Sequence, residues 1–147
     1  MATIMIAEDD LMLADMAESA LITNGYDVCG IARTVEDGVA LGKANQLDFA
    51  ILDLRLAYGG LGTEIAAKFE VSTRPAILYA TGNITQLLLT SADGEACLCK
   101  PYSGADLVRS LELVAEIIAT GHTSGPIPPG FQVLPSAPSV AAAIADD

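Results

Sequence analysis

Short apolar runs, each closed by a polar residue and separated from the next by a helical pattern, constrain this chain more than any other feature. Thr3–Ala7, Asp27–Ala32, Phe49–Leu52, Ala76–Ala80 and Ala96–Cys99 read as strands. None shows the strict apolar/polar alternation of a sheet with one wet face, so both faces are expected to be covered, as in a parallel sheet. Between them lie helical patterns. Leu11–Thr23 places Leu13, Met16, Ala17, Ala20 and Leu21 on one face and is stopped by Asn24-Gly25. Thr34 is placed to cap a helix running to about Ala44. A glycine-rich loop, Tyr58 to Gly62, leads into a helix from Thr63 to Phe69. A fourth helix is expected over Ile84–Thr90, and a last one over Gly104–Ala119 with Leu107, Leu111, Val114 and Ile118 facing inward. Five strands alternating with five helices predict a doubly wound α/β sheet with right-handed crossovers.

The pattern stops near residue 120. Five of the seven prolines fall at Pro126, Pro128, Pro129, Pro135 and Pro138, and neither Lys nor Arg occurs after Arg109. Residues 1–120 therefore read as one folded domain and 121–147 as an extended Pro-rich tail, with a weak helix at Val140–Ala145 and no output domain. A length of 147 residues suits a single domain. A formal net charge of −12 argues against a nucleic-acid surface, which needs a basic patch. Its simplest reading is solubility, and it also suits a protein that holds a cation. No apolar stretch approaches the roughly 20 residues of a bilayer span. Met1 to Ala7 lacks the basic leader of a signal peptide, so a cytoplasmic protein is expected, with no membrane contact. Three cysteines, Cys29, Cys97 and Cys99, make no disulfide framework. Cys97 and Cys99 share one side of a strand, but without a second pair they read as buried thiols rather than metal ligands. His122, the single histidine, lies in the tail and is assigned no role.

In doubly wound sheets, ligands bind beyond the carboxyl ends of the strands. At those ends this chain carries Glu8, Asp9 and Asp10, then Asp53, then Thr81, then Lys100. Clustered carboxylates repel one another, and a hard divalent cation with oxygen ligands, Mg²⁺, relieves the conflict. Asp53 is ionised at neutral pH and needs no general base to act as a nucleophile. A phosphoryl group arriving there needs its oxygens neutralised, and Mg²⁺, the Lys100 ammonium and the Thr81 hydroxyl are the groups that can do so. Taken singly these residues have ordinary explanations. Asp10 suits an N-cap of the following helix, and Lys100-Pro101 a turn. The agreement of four strand ends favours a phospho-acceptor that is not a turnover enzyme. An aspartyl phosphatase would need an acid two residues after the nucleophile, where this chain has Arg55.

Ile6-Ala7-Glu8-Asp9-Asp10, Ala50-Ile51-Leu52-Asp53-Leu54, Ala80-Thr81-Gly82 and Leu98-Cys99-Lys100-Pro101-Tyr102 together resemble the receiver domain of two-component response regulators. The resemblance covers about Ala2 to Ala119. It implies a flavodoxin-like, CheY-like five-stranded parallel sheet of order 2-1-3-4-5. It implies phosphorylation of Asp53 by a phosphohistidine on a sensor histidine kinase or a histidine phosphotransfer protein. It implies Mg²⁺ held by Asp9, Asp53 and the backbone carbonyl of Arg55, with Glu8 acting through water. Thr81 and Lys100 are implied to bind the phosphoryl oxygens, and Lys100-Pro101 to be a cis peptide. Arg55 and Asn83 occupy positions that tune the lifetime of the acyl phosphate. Four departures stand out. Cys97 replaces the usual aromatic switch residue, Leu56-Ala57 replaces Met-Pro, the glycine-rich loop is longer, and Gly82 follows Thr81. Tyr79-Ala80-Thr81-Gly82-Asn83 is similar to the motif of stand-alone receivers nicknamed FAT GUY. Such a chain would signal by contact, through a homodimer or a downstream protein at a face carrying Leu87, Leu88, Leu89, Leu113 and Ile117, unless the tail covers that face. The alternative is a pseudo-receiver, an interaction module that is never phosphorylated.

Overall fold

In the computed structural model, residues 1–82 and 89–137 are described. One sheet of order β2-β1-β3-β4-β5-β6 forms the middle layer. Its strands are β1 (Thr3–Ala7), β2 (Asp27–Ala32), β3 (Phe49–Asp53), β4 (Ala76–Thr81), β5 (Ala96–Cys99) and β6 (Phe131–Val133). The first five run parallel, in the expected order, and β6 pairs antiparallel to β5. This is the flavodoxin-like arrangement, extended by one strand.

The period of two along each strand explains the absence of polar alternation. Ile4, Ile6, Ile51, Leu78 and Leu98 point to one face, where they meet Ala17 and Leu21 of α1 (Leu11–Thr23) and Leu107, Leu111 and Val114 of α4 (Gly104–Thr120). Met5, Ala7, Ala50, Leu52, Ile77, Tyr79 and Cys97 point to the other. There they meet Ile65 and Ala66 of α3 (Gly62–Ala66), with Leu41 of α2 (Val35–Ala44) packed alongside. Local chemistry sets the helix starts. Asp10 Oδ1 accepts from the N–H groups of Met12 and Leu13, Thr34 Oγ1 from Asp37, and Ser103 and Asp106 form a reciprocal capping box.

Several expectations are corrected. The helix expected to reach Phe69 ends at Ala66, because the amides of Lys68 and Phe69 turn back onto Ile65 and Ala66 three residues earlier, tightening the chain into a turn. Of the helix expected over Ile84–Thr90, residues 84–88 lie outside the described residues, and Leu89 and Thr90 are not helical. Among the described residues there are therefore four α-helices rather than five. Ile118 is exposed and Leu113 is fully buried, the reverse of the expected faces. Arg109 and Glu116, which flank Leu113 on the same helical side, both bind the chain that follows α4: Arg109 reaches the carbonyls of Ser124 and Pro126, and Glu116 accepts from Ser124 Oγ. The segment read as a tail is thus bound by α4 side chains, enters the sheet as β6 and buries Leu134. Leu87, Leu88 and the helix expected at Val140–Ala145 lie outside the described residues.

Candidate functional site

Strand order brings the chemistry together. β3 lies between β1 and β4, and β4 pairs with β5, so the carboxyl ends of β1, β3, β4 and β5 line one crevice. In register, Leu52 pairs with Ala7, Asp53 with Ala80, and Thr81 with Cys99. Glu8 and Asp9 leave the end of β1, Asp53 closes β3, Thr81 closes β4, and Lys100 follows β5.

Glu8, Asp9 and Asp53 each offer a carboxylate oxygen within 4.8 Å of the others. Glu8 and Asp53 are buried, and Asp9 is partly exposed. The Lys100 ammonium lies 2.8 Å from Glu8 Oε1 and 3.1 Å from Asp53 Oδ2. The remaining oxygens are also engaged. Glu8 Oε2 accepts from Asp10 N–H at 3.1 Å, and Asp53 Oδ1 accepts from Arg55 N–H at 3.3 Å. The backbone is equally tied, since Lys100 N–H donates to the Thr81 carbonyl at 2.7 Å and Thr81 is itself buried. Lys100-Pro101 is cis.

Burial pushes the Glu8 carboxyl up to about 7, and its hydrogen bond to Asp53 adds to the effect against the opposing pull of Lys100. Burial alone would lower the Lys100 ammonium, but its hydrogen bonds to Glu8 and Asp53 outweigh that and raise it. Lys100 therefore remains a cation throughout the neutral range. Tyr102, whose ring packs beside the core of the α1 and α4 face, is pushed up to about 12 by burial first and by the charge of Glu8 second.

Gly62 is a residue whose role is invisible in sequence. A Cβ there would lie 2.2 Å from the Asp53 carbonyl oxygen, so α3 can start against the end of β3 only because position 62 has no side chain. The glycine-rich loop signals a tight turn, but only the coordinates show which glycine touches the acidic strand end. Arg55 is exposed and forms an isolated antiparallel bridge with Leu61 across that loop. Tyr58 at its tip has φ 62° and is exposed. Asn83 lies outside the described residues.

Three carboxyl groups, two of them buried, converge at these strand ends beside a single ammonium. That donor set fits a hard divalent cation, with Glu8, Asp9 and Asp53 as the side chains that would hold Mg²⁺.

Fold and crevice together define a CheY-like α/β domain with an acid cluster at the carboxyl ends of its strands. The solved structures that share this fold include receiver domains of response regulators. One is the signal receiver domain of a modulated diguanylate cyclase from Desulfovibrio desulfuricans G20, 25% identical over 83% of this chain and 99% of that one, with a TM-score of 0.67. Another is a CheY-like response regulator receiver domain protein from Methanospirillum hungatei JF-1, 23% identical over 81% and 98%, with a TM-score of 0.70. The anti-anti-sigma factor PhyR from Bartonella quintana is similar over 82% of this chain and 49% of its own length, at 22% identity and a TM-score of 0.67. No protein-family model matches the chain, and no curated protein matches it in sequence. Among the described residues, no helix is long and apolar enough to cross a membrane.

Proposed function

We propose that this protein is a response-regulator receiver that accepts a phosphoryl group on Asp53 from the phosphohistidine of a sensor kinase or phosphotransfer protein. The reading is carried by one observation: Asp53 sits within 4.8 Å of two further carboxylates and 3.1 Å from the Lys100 ammonium, at the strand ends of a CheY-like fold. An Asp53 carboxylate oxygen attacks phosphorus. The new O–P bond forms as the N–P bond of the donor breaks, and the bonding pair stays on the imidazole nitrogen, which takes up a proton. Lys100, already poised between Glu8 and Asp53, follows the charge onto a phosphoryl oxygen. Thr81, at the end of the adjacent strand, is the hydroxyl donor assigned to a second oxygen. Mg²⁺, when bound, supplies further neutralisation of the phosphoryl charge. The protein acts as a signalling acceptor rather than a turnover enzyme, and its output is by contact. Tyr79-Ala80-Thr81-Gly82-Asn83 favours the stand-alone FAT GUY type within this class.

The same lysine also favours a second reading. The Lys100 ammonium already contacts both buried acids, so the crevice is partly neutralised from within, as a phosphorylation-independent module would need. Incubation with a small-molecule phosphodonor and Mg²⁺, read by intact mass, separates the two. A receiver gains one phosphoryl group that is labile to base and absent from Asp53→Asn. Failure of the wild-type protein to gain it under conditions where a control receiver does would sink the proposal.

A further inference from the structure

We infer that residues 124–137 form a strap whose hold on the edge of β5 is tied to the state of the acid cluster; the inference rests on the proposed role of Asp53 only where loading of that site is concerned. The strap is a continuous run of contacts. Arg109 binds the carbonyls of Ser124 and Pro126, β6 pairs with β5, and Leu134 N–H donates to the Glu95 carbonyl at 3.1 Å. Ser91 N–H then donates to the Pro135 carbonyl at 2.8 Å, and Ala137 N–H to Ser91 Oγ at 3.1 Å. Its apolar anchors are few. Pro128 and Leu134 are buried and Phe131 half-buried, whereas Ile127 and Val133 are 48% and 43% exposed. A segment held by one short edge strand, three such anchors and a few hydrogen bonds detaches more easily than the sheet it lies on.

Its coupling to the cluster runs through two consecutive amides. Cys99 N–H points outward to the Gly130 carbonyl, at 3.0 Å, and Lys100 N–H points inward to the Thr81 carbonyl, at 2.7 Å. The Lys100 ammonium then reaches Glu8 and Asp53. There is no slack on the strap side. Gly130, at φ 82°, lies so close that a Cβ added to it would be 2.9 Å from Cys99 Cβ and 3.3 Å from Cys99 N. Lys100 is therefore anchored at both ends, and that anchoring keeps Cys99 in register with Gly130. Any change that draws the ammonium away from Glu8 and Asp53 shifts the strap's grip, and by reciprocity the strap's release shifts affinity at the cluster by the same factor.

Amide hydrogen exchange of the full chain, followed by NMR, tests this. After correction for intrinsic rates, the Cys99 amide is expected to exchange about tenfold or more faster than the Lys100 amide, because the strap leaves before the sheet opens. Lys100→Met, without metal, is expected to lower Cys99 protection about threefold or more, since one anchor is gone. Equal exchange at Cys99 and Lys100 overturns the strap, and Cys99 protection unchanged in Lys100→Met overturns the coupling. A further arm adds Mg²⁺ and beryllofluoride. If the amides of Asp53 and Thr81 show no chemical-shift response, the proposed role of Asp53 has failed, and the Lys100→Met arm still decides the coupling. Should Lys100→Met not fold, Gly130→Ala reads the link from the other end. Its Mg²⁺ dissociation constant is expected to move about threefold, and an unchanged constant overturns the coupling.

Discussion

Replacing Glu8 by Gln should make the metal-free protein more stable at pH 8, although it removes a buried, salt-bridged side chain. In the folded protein the Glu8 carboxyl stands at about 7, against 4.5 when unperturbed. Between those values the folded state keeps a proton that the unfolded state has lost. The stability associated with protonated Glu8 is therefore fully present below pH 4.5 and is lost as pH rises to about 7. At about 1.4 kcal/mol per pH unit, the shift amounts to a ceiling of roughly 3 kcal/mol. Gln keeps the shape and has no proton to lose, but its single oxygen can fill only one of the two acceptor places that Glu8 gives to Lys100 and to the Asp10 amide. Part of its gain is offset because one acceptor is lost and a neutral oxygen holds Lys100 less strongly, so a net gain of about 1–2 kcal/mol at pH 8 is expected. The chain contains no Trp, so urea unfolding is best followed by far-UV circular dichroism, in EDTA, from pH 4.5 to 8. The stability difference between Glu8→Gln and wild type should grow in favour of the variant across that range. With saturating Mg²⁺ it should shrink or reverse, because the cation favours the ionised carboxylate. A difference curve that stays flat in EDTA would refute the argument that burial, rather than the ion pair, governs Glu8.

Gly62→Ala should destabilise the fold by about 1–3 kcal/mol, because the new Cβ meets the Asp53 backbone, which cannot move aside as a flexible side-chain end would. Gly82→Ala, with nothing within 4 Å among the described residues, is the control and should be near neutral; equal melting curves for the two variants would contradict this. Leu134→Ala should cost about 2 kcal/mol in urea titrations, since the side chain is buried against the sheet; no change would mean that residues 131–134 do not pack as described. Arg55→Ala should alter the lifetime of the acyl phosphate on Asp53, measured as loss of the phosphorylated mass with time, because Arg55 lies at the open edge of the acceptor, two residues from Asp53. An identical decay would remove the guanidinium from the account.

How much of this protein can be read from its sequence depends on the range of the interactions involved. Strands β1 to β5, helix α1 and the caps at Asp10 and Thr34 follow from local patterns of apolar residues and from side-chain oxygens within three residues of the amides they receive. The acids at the ends of β1 and β3 are legible for the same reason: a doubly wound sheet gathers its strand ends on one side, so residues remote in sequence become neighbours once strand order is known. Their burial, the approach of Lys100 to both Glu8 and Asp53, and the resulting rise of Glu8 are not local properties. They depend on how closely β5 approaches β1 across β3 and β4. The same holds for the last segment. Proline and glycine content marks residues 121–147 as irregular, but pairing of Phe131–Val133 with β5 depends on a free sheet edge about thirty residues earlier, which no local pattern reveals. Leu113 and Ile118 likewise exchange their expected exposures, since which side of a helix is covered depends on the segments that folding brings against it. Sequence alone determined the alternation of elements and the residues at the strand ends, because backbone periodicity and capping are short-range. Tertiary structure decided the charge balance of the crevice, the contact at Gly62 and the sixth strand, because desolvation, steric exclusion and edge pairing act only between segments that folding has brought together.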